Sequence, residues 1–453
     1  MDTLLLSRIQ FALTIAFHYI YPPLSIGLGV VLVLMEARYL RTKNPKYLEA
    51  TKFWARIFGL TFAIGVATGI VMEFEFGTNW ATYSRYVGDV FGSALAAEGI
   101  FAFFLESGFL ALLLFGWDKL KPGMHFFATL MVCLGAHFSA IWIVVAGSWM
   151  QTPAGFHIVG EGVKARAEIT SFWAMVFNPS SMERLAHVLV GCWQAGAFLV
   201  ISISAFYMLK KRHLEFSRSS MKIGLTIAVA ASLLQLVTGH TSGRVVAKYQ
   251  PTKLAAMEGH YEKSAPAGIY LLGWVDEKKE EVKGIYIPKV LSLLVHDDPS
   301  APIPGLRAFP KEDRPPVNIV FQAFHGMIAI GIFLIIISII AAALFKRGTL
   351  ENHPLILKIL VVSVLGPQIA NQLGWMTAEV GRQPWIVYGL LRTSDGLSKT
   401  IKANMVLSSL ILFTLVYTGL FILFIFLLNR KIQAGPRPAV QKITAAEPGG
   451  PRA

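Results

Sequence analysis

The run NIVFQAFHGMIAIGIFLIIISIIAAALF, residues 318–345, decides the fold class of this chain. It contains no Lys, Arg, Asp or Glu, and it exceeds the roughly 20 apolar residues that cross a bilayer core of about 30 Å as a helix. Strands of a membrane β-barrel would instead alternate in polarity over segments of about ten residues. The run therefore predicts a membrane-spanning α-helix, because a lone apolar segment satisfies its backbone hydrogen bonds in lipid only as a helix.

Eight further runs of this kind occur along the 453 residues, of which 54% are hydrophobic and 15% charged. The nine predicted helices begin near residues 6, 52, 93, 124, 184, 219, 318, 355 and 401. We interpret the first run as a retained helix rather than a secretory signal, since it carries Arg8 and His18 and lacks a basic leader. Cys133 and Cys192 fall inside helices without CxxC spacing and are interpreted as packing residues. The predicted fold class is an all-α integral membrane protein with nine transmembrane helices in a bundle.

The chain has a net charge of +14, and the positions of its basic residues indicate the topology. Basic chains often bind nucleic acid, but here Lys and Arg concentrate in short connections between helices, as the positive-inside rule describes for cytoplasmic loops. The clusters are Arg38/Arg41/Lys43/Lys46, Lys119/Lys121, Lys210/Lys211/Arg212, Lys346/Arg347 and Arg430/Lys431. Nine helices then place the N-terminus outside, in the periplasm, and the C-terminus in the cytoplasm. No nucleic-acid partner is expected.

The helix pattern divides the chain into four parts. Residues 1–240 hold helices one to six, and residues 318–432 hold helices seven to nine. Between them, residues 241–317 form a long external segment that mixes aromatic and charged residues, which favours a function over disorder. Residues 433–453 are rich in Pro, Gly and Ala and are predicted to be a disordered cytoplasmic tail.

Ionisable side chains inside spanning helices are costly in lipid and are therefore candidates for function. The candidates are His18, Glu98, Glu106, His137, His187, His325 and Glu379, with Met327 close to His325. Imidazole and thioether together are familiar axial ligands of heme. Paired carboxylates would serve an ion-coupled membrane transporter equally well, so spacing alone leaves a redox protein and a transporter open.

Glu98 and Glu106 are expected to form a carboxylate ladder on the third helix. Eight residues correspond to a net rotation of roughly 80° and a rise of about 12 Å, so both can face one side of the bundle. Ser139, on the fourth helix, is expected at about the depth of Glu106. Its hydroxyl would then extend a path for proton transfer.

Four stretches resemble subunit I of the cytochrome bd quinol oxidases, and the resemblance extends from residue 6 to about residue 430. They are LSRIQFALTIAFHYIYPPLSIGLG (6–29), FSAIWIVVAGSWMQTPAG (138–155), QPTKLAAMEGHYE (250–262) and GWMTAEVGRQPW (374–385). The last stretch fills every position of the family pattern GWxxxExGRQPW. The external segment is of the family's short Q-loop type, which also occurs in the related cyanide-insensitive oxidases.

The resemblance implies roles for individual residues. His18 and Glu379 would be ligands of high-spin hemes, with Glu98 a further candidate ligand, and His187 and Met327 would hold a low-spin heme b. Lys253 and Glu258 match the quinol-binding pair. Proton transfer would use Glu98, Glu106 and Ser139, and support of the heme propionates would fall to Arg8, Trp375, Arg382, Gln383 and Trp385.

Two departures from the family pattern stand out. Many relatives have Asn before the Trp-Met-Gln of the second stretch, where this chain has Gly147 and Ser148. His325 stands where better-known members have Arg, which implies altered tuning of the low-spin heme or of its contact with quinol.

The resemblance implies the heme-bearing subunit of a respiratory terminal oxidase in a bacterial inner membrane. Such an enzyme oxidises quinol at the outer face and reduces O2 to water at a high-spin diheme site, generating proton motive force by vectorial proton uptake and release. The implied cofactors are a low-spin heme b, a high-spin heme b, and either heme d or a further heme b. The implied partners are subunit II of the oxidase and a small single-helix accessory subunit. The alternative is an ion-coupled membrane transporter.

Overall fold

A computed structural model describes residues 2–436 of the chain, so that most of the predicted tail, 437–453, lies outside the described residues. The α-helices are α1 Thr3–His18, α2 Tyr21–Thr42, α3 Pro45–Thr78, α4 Ala81–Tyr86, α5 Gly88–Glu98, α6 Phe104–Phe115, α7 Pro122–Gln151, α8 Phe172–Val176, α9 Ser181–Leu209, α10 Leu214–Tyr249, α11 Pro251–Glu258, α12 Val290–His296, α13 Val317–Lys346, α14 Pro354–Val362, α15 Leu365–Val380, α16 Thr393–Gly396 and α17 Ala403–Ala434. The strands are β1 Phe156–Val159, β2 Arg166–Ile169, β3 Ile269–Asp276, β4 Glu281–Ile287, β5 Trp385–Val387 and β6 Leu391–Arg392.

Eight helical segments among the described residues are long and apolar enough to cross a membrane. They correspond to α1 with α2, α3, α7, α9, α10, α13, α14 with α15, and α17. The strands form three separate two-stranded antiparallel sheets and contribute no larger sheet to the described part. The prediction of a mainly helical membrane protein is therefore confirmed.

The predicted third helix is interrupted by a π-helical turn. Residues 88–115 run as α5, a π-helix at Gly99–Phe103 and then α6, so neither α-helical piece reaches the length of a span by itself. The N–H of Phe104 donates to the Gly99 carbonyl, five residues back. At about 1.5 Å per residue the continuous segment is still long enough to cross a bilayer.

The first span breaks between α1 and α2, directly after His18. Pro22 and Pro23 have no N–H to donate to the carbonyls four residues earlier, which removes two helical hydrogen bonds at this point. The chain turns at Tyr19 and Ile20 and then resumes as α2. His18 therefore sits at a helix end, where its orientation is set by the break.

The core lies where α2, α3, α9 and α10 pack together. Its largest buried side chains include Trp54, Phe198 and Tyr207. α2 and α9 touch backbone to backbone, because a Cβ at Gly27 would lie 2.2 Å from the Cys192 carbonyl oxygen and one at Gly196 would lie 2.2 Å from the Gly27 carbonyl carbon. Small residues at such crossings let membrane helices approach closely in the absence of a hydrophobic driving force.

The external segment predicted for residues 241–317 has secondary structure of its own. α10 continues through Tyr249, past the expected start of the segment, and α11, the β3–β4 hairpin and α12 follow. Glu280, in the hairpin turn, binds two arginines from the end of the segment, Arg307 at 2.7 Å and Arg314 at 3.2 Å.

The hairpin rests on the N-terminal part of α13. Tyr270 of β3 accepts a hydrogen bond at its carbonyl oxygen from His325 Nε2 at 2.7 Å. One turn earlier on α13, Gln322 Nε2 donates to the Gly273 carbonyl at 2.8 Å. The segment is therefore anchored to the same helix that carries Met327.

Candidate functional site

His187 lies about two turns into α9 and faces α10. Its Nδ1 is 3.1 Å from the Thr238 hydroxyl, and the Gln235 amide nitrogen lies 3.0 Å from Nδ1 and 3.1 Å from Nε2. One amide group cannot form linear hydrogen bonds to both ring nitrogens. The Gln235 Oε1 is also buried without a partner among the described residues. A Cβ at Gly239 would lie 3.5 Å from the ring, so the imidazole rests against bare backbone.

Met327 lies on α13 with its sulfur directed at α15. A Cβ at Gly374 would lie only 2.9 Å from the Met327 Sδ, so glycine is what admits the thioether at this depth. α15 also packs against α9, and α13 packs against α10. The helices that carry His187 and Met327 are thereby brought together around α10 and α15.

His18 ends α1 and contacts α3. Its Nδ1 is 2.9 Å from the Thr68 hydroxyl, and the ring also hydrogen-bonds the backbone of Gly65. A Cβ at Gly69 would lie 3.3 Å from the ring. Gln372 Nε2, on α15, donates to the Ala16 carbonyl at 2.8 Å and holds α15 beside this end of α1.

Glu379, at the end of α15, is fixed by donors on both oxygens. Gln151 Nε2 donates to its Oε1 at 3.1 Å, and Arg382 donates to its Oε2. Gln151 in turn accepts from Lys253 Nζ at 2.5 Å, and the same ammonium donates to Gln250 Oε1 at 2.5 Å. A chain of contacts therefore joins α11 of the external segment to the carboxylate of Glu379.

This cluster holds more positive than negative charge. Lys253 and Arg382 are 2% and 3% exposed, and both interact electrostatically with Arg184 and with the one carboxylate of Glu379. Burial, and then Arg184 and Arg382, hold the pKa of Lys253 well below its usual value. Arg382 Nη1 is buried without a partner in the described part of the chain. Buried excess charge is costly unless an opposite charge joins it, so the cluster suits an anionic group.

Glu258 ends α11 and is 5% exposed. Burial raises the pKa of its carboxyl to about 8, and its Oε2 has no partner among the described residues. Lys253 is five residues earlier, about 140° away around the helix. The two members of the expected quinol-binding pair therefore lie on one helix but on different sides of it, and only Lys253 reaches the cluster at Glu379.

A second basic site opens beside the GRQPW loop. A cavity of about 260 Å³ is lined by residues from α1, the loop and its neighbours: Leu4, Arg8, Arg314, Pro316, Gln383, Pro384, Arg392, Thr393 and Ser394. Arg392 lies over the Trp385 ring at 4.7 Å and binds Asp313 at 2.6 Å. Arg8, Gln383 and Trp385 are thus gathered at one place, whereas Trp375 lies half-buried on α15.

The carboxylate ladder has a different geometry from the one expected. The π turn takes up one extra residue, so that Glu98 and Glu106 differ by about 20° instead of roughly 80° around the helix. Ser139 donates to Glu98 Oε1 at 2.6 Å, while Glu106 packs on Gly135, where a Cβ would lie 2.8 Å from its Cβ. Ser139 is therefore level with Glu98; its expected depth, beside Glu106, was wrong because the estimate took no account of the register between the two helices.

His137 and His325 have structural partners. His137 Nε2 accepts from Trp193 Nε1 at 3.0 Å, and its Nδ1 lies 2.7 Å from the Cys133 carbonyl, which it contacts as a donor. His325 bridges its own helix at the Phe321 carbonyl, 2.9 Å away, and the external hairpin. Both side chains join structural elements, and His137 is fully satisfied without a ligand.

The family model for cytochrome bd terminal oxidase subunit I matches residues 6–436. The chain belongs to this family. A Bacillus subtilis (strain 168) protein named cytochrome bd ubiquinol oxidase subunit 1 is 39% identical over 446 residues, covering 96% of this chain and 94% of the relative. An Escherichia coli (strain K12) protein named cytochrome bd-II ubiquinol oxidase subunit 1 is 34% identical over 502 residues. The match covers 96% of this chain and 97% of that relative.

The bd oxidase of Geobacillus thermodenitrificans has the same fold. The two structures superpose with a TM-score of 0.89 at 31% identity, over 96% of this chain and 99% of the other. This cytochrome bd subunit is therefore a component of a terminal quinol oxidase in a bacterial inner membrane.

The residues of this cytochrome bd subunit fit heme. His18 and Met327 each rest against a glycine whose Cβ would crowd the donor side chain, and His187 packs on Gly239 at van der Waals distance. Imidazole and thioether are the donor set that heme iron takes in many cytochromes. The unpartnered Arg382 Nη1 and the excess of buried cations match the carboxylates that a heme carries on its edge.

Three residues of the site were missed in the sequence. Gln151 ends the SWMQ of the stretch quoted for residues 138–155. Arg184 lies three residues before His187. Gln235 lies in α10, where a lone amide among apolar residues was the only signal. None of the three is an ionisable residue deep inside a predicted span, which is the feature that marks the other candidates.

Proposed function

We propose that this chain accepts electrons from quinol at its external segment, through a low-spin heme b held by His187 and Met327, and supports O2 reduction at high-spin hemes held by His18 and Glu379. The observation that carries the proposal is the placement of these four side chains, each with its support, around α9, α13, α15 and the break after α1. The hemes supply one-electron transfer and the coordination of O2. The residues of the chain supply ligation, orientation and protons.

The proposed ligands divide the work. His187 and Met327 would together hold a heme that supplies electron transfer. His18 and Glu379 would each hold a heme that supplies the coordination of O2. Glu98 remains the further candidate ligand, and the set of hemes comprises a low-spin b, a high-spin b and either heme d or another b.

Lys253 connects the quinol side to the high-spin side. Its ammonium reaches Gln151, which orients Glu379, so a change at α11 alters the hydrogen bonding of that carboxylate. Arg184 and Arg382 would neutralise propionates in the same cluster, and Arg8 and Gln383 would do so at the neighbouring cavity. Trp375 and Trp385 would line the approach.

Glu258 would take the proton that quinol loses. Its pKa of about 8 places the loss of its own proton close to neutral pH, and general bases work best when their pKa lies near the working pH. The external position of residues 241–317 then releases that proton outside.

The ladder would bring protons from the opposite side. Glu106, Ser139 and Glu98 follow one another along the contact between α6, the π turn and α7. Protons taken from the cytoplasm and released outside separate charge without a pump. This requires the topology inferred from charge, with nine spans, an external N-terminus and a cytoplasmic C-terminus.

Partner subunits would cover the lipid-facing helices. Exposed apolar residues run along α17 and α13 in the isolated chain, among them Ile332, Ile336, Leu415 and Ile422. Subunit II of the oxidase and a single-helix accessory subunit are the partners we propose.

The test is a dithionite-reduced minus air-oxidised optical spectrum of the purified complex. In the His187→Ala variant we expect the low-spin b band to vanish while high-spin features persist. The control is His137→Leu, which removes another intramembrane imidazole and should retain every band. A heme-free wild type would overturn the proposal and revive the ion-coupled transporter, and a far-red chlorin band would identify heme d.

A further inference from the structure

The buried face of α1 is entirely polar. The residues of this helix that are shielded from its surroundings are Ser7, Gln10 and Thr14, and His18 continues the same stripe one turn further. A membrane helix ordinarily turns apolar or small residues towards its neighbours. Burial of this many polar groups calls for a function that uses them.

α3 and α17 present matching polar groups. Thr14 Oγ1 donates to Glu75 Oε1 at 2.7 Å, and Asn79, just after α3, donates to Gln10 Oε1 at 3.0 Å. Ser409 of α17 donates to the same Gln10 oxygen at 3.1 Å. We call this group, Gln10, Thr14, Glu75, Asn79 and Ser409, the polar seam. The Glu98–Glu106 ladder contains none of its residues.

Glu75 is the one acidic member of the seam. It is 1% exposed, and its Oε2 is buried without a partner among the described residues. Its hydrogen bonds come from neutral side chains, the Thr14 hydroxyl and Gln10, and no described Lys, Arg or His forms an ion pair with it. A glutamine would fill the same space and accept the same bond without the cost of a buried carboxyl. What the acid adds is the capacity to bind and release a proton at Oε2.

The seam begins at the ligand position of His18. Thr14 is one turn from His18 on α1, about 6 Å along the axis, and Glu75 is seven residues from Thr68, the hydroxyl partner of His18, about 10 Å along α3. Charges at such separations interact strongly when both are buried, because neither water nor salt screens them. A change of charge at the His18 centre is therefore felt at Glu75.

We propose that Glu75 is a proton-binding site coupled to the redox centre that His18 holds, and that it exchanges its proton along the polar seam. An electron delivered by quinol oxidation adds one negative charge at the centre, and one proton binds Glu75 Oε2, converting a carboxylate to a carboxyl. Reoxidation returns the proton by the same route. The inference rests on the proposed ligation by His18.

Few other groups can titrate beside Glu75. Tyr417 of α17 interacts with it electrostatically, Arg8 and His18 stand at the two ends of the α1 stripe, and α4 carries Arg85. On α3 itself, Glu73 lies two residues away but is exposed. Because Glu73 also acts electrostatically on Glu98, the control is Glu161, an exposed carboxylate in the turn between β1 and β2.

The experiment is a redox titration of the high-spin hemes in the purified whole complex at several pH values. In the wild type we expect the potential of the His18 centre to fall with rising pH, by up to about 59 mV for each tenfold change in proton concentration. Glu75→Gln should flatten this dependence, and Glu161→Gln should retain it. Thr14→Val, which removes the hydroxyl on Oε1, should shift the pH range of the dependence.

An infrared reduced-minus-oxidised difference spectrum provides a second readout. We expect a carboxyl C=O band in the wild type that Glu75→Gln abolishes. An intact high-spin spectrum with the same pH dependence and the same band in Glu75→Gln would overturn this inference alone. High-spin bands that survive in His18→Ala would overturn the ligation and the inference together.

Discussion

Gln151 and Glu379 are joined by a hydrogen bond of 3.1 Å between Nε2 and Oε1, and the other end of the Gln151 amide accepts from Lys253. A single neutral side chain at the end of α7 thus links the external segment to a proposed heme ligand. An amide suits this position because it is donor and acceptor at once.

Replacing Gln151 by Leu should disturb the high-spin heme. The change leaves Lys253 and Glu379 each short of a partner, and an unsatisfied buried polar group costs about 1–3 kcal/mol. We expect a shifted high-spin absorption band together with a lower melting temperature. Gln194→Leu is the control, since Gln194 is buried and bonded to Ser232 at 3.0 Å, and it should lower stability without moving the band. Identical spectra for both variants would contradict the link.

Gly135→Ala should slow proton delivery. The added Cβ would lie 2.8 Å from the Cβ of Glu106, so α6 must move away from α7 and the ladder opens. We expect proton uptake during turnover to fall about tenfold, which corresponds to about 1.4 kcal/mol in the barrier. Gly147→Ala, on the same helix with nothing within 4 Å, should leave the rate unchanged. Equal rates for the two variants would argue against the ladder.

Gly374→Ala should perturb the low-spin heme b. A methyl group at this point would lie 2.9 Å from the Met327 sulfur and force it from its position. We expect the low-spin band to shift or to diminish, with high-spin bands retained. Gly331→Ala, on α13 and without neighbours within 4 Å, serves as the control in the same optical measurement.

Glu258 should make quinol oxidation depend on pH. Its folded-state pKa of about 8 lies above the ordinary 4.5, so the carboxyl is protonated below about 8 and becomes a base above it. The rate should rise with pH through this range, and Glu258→Gln should abolish the rise. Glu281→Gln, an exposed change in β4, should preserve it.

The raised pKa of Glu258 also predicts the direction in which the stability of the fold changes with pH. Between pH 4.5 and about 8 the folded state binds a proton at Glu258 that the unfolded state has lost, so stability falls as pH rises across this interval. Melting curves of the Glu258→Gln complex should show a weaker decline over that range. A decline as steep as in the wild type would assign the dependence to other groups.

The helices that carry the proposed ligands were accessible from sequence, whereas the contacts between them were not. Continuous apolar runs and the GWMTAEVGRQPW stretch located Glu379 on its helix. Gln151, Lys253 and Glu379 come from three distant parts of the chain, so their contact depends on packing that no local period encodes. The π turn was missed because a rotation of 100° per residue was assumed throughout the third helix.

Glu75 was not predicted from the sequence, for a related reason. The second apolar run begins near residue 52, and about 20 residues of it suffice to cross the bilayer, which puts Glu75 beyond the expected end of the span. The structure extends α3 to Thr78 and buries the carboxyl against α1. The length of α3 is therefore not set by hydropathy alone.

The attachment of the hairpin to α13 couples movement of the external segment to the position of Met327. His325 ties β3 to the helix only two residues before Met327, so a molecule that wedges the hairpin outwards also pulls on the turn that presents the thioether. Binding of an inhibitor to the external segment would then shift the absorption spectrum of the low-spin centre. The shift would be observed before any electron transfer.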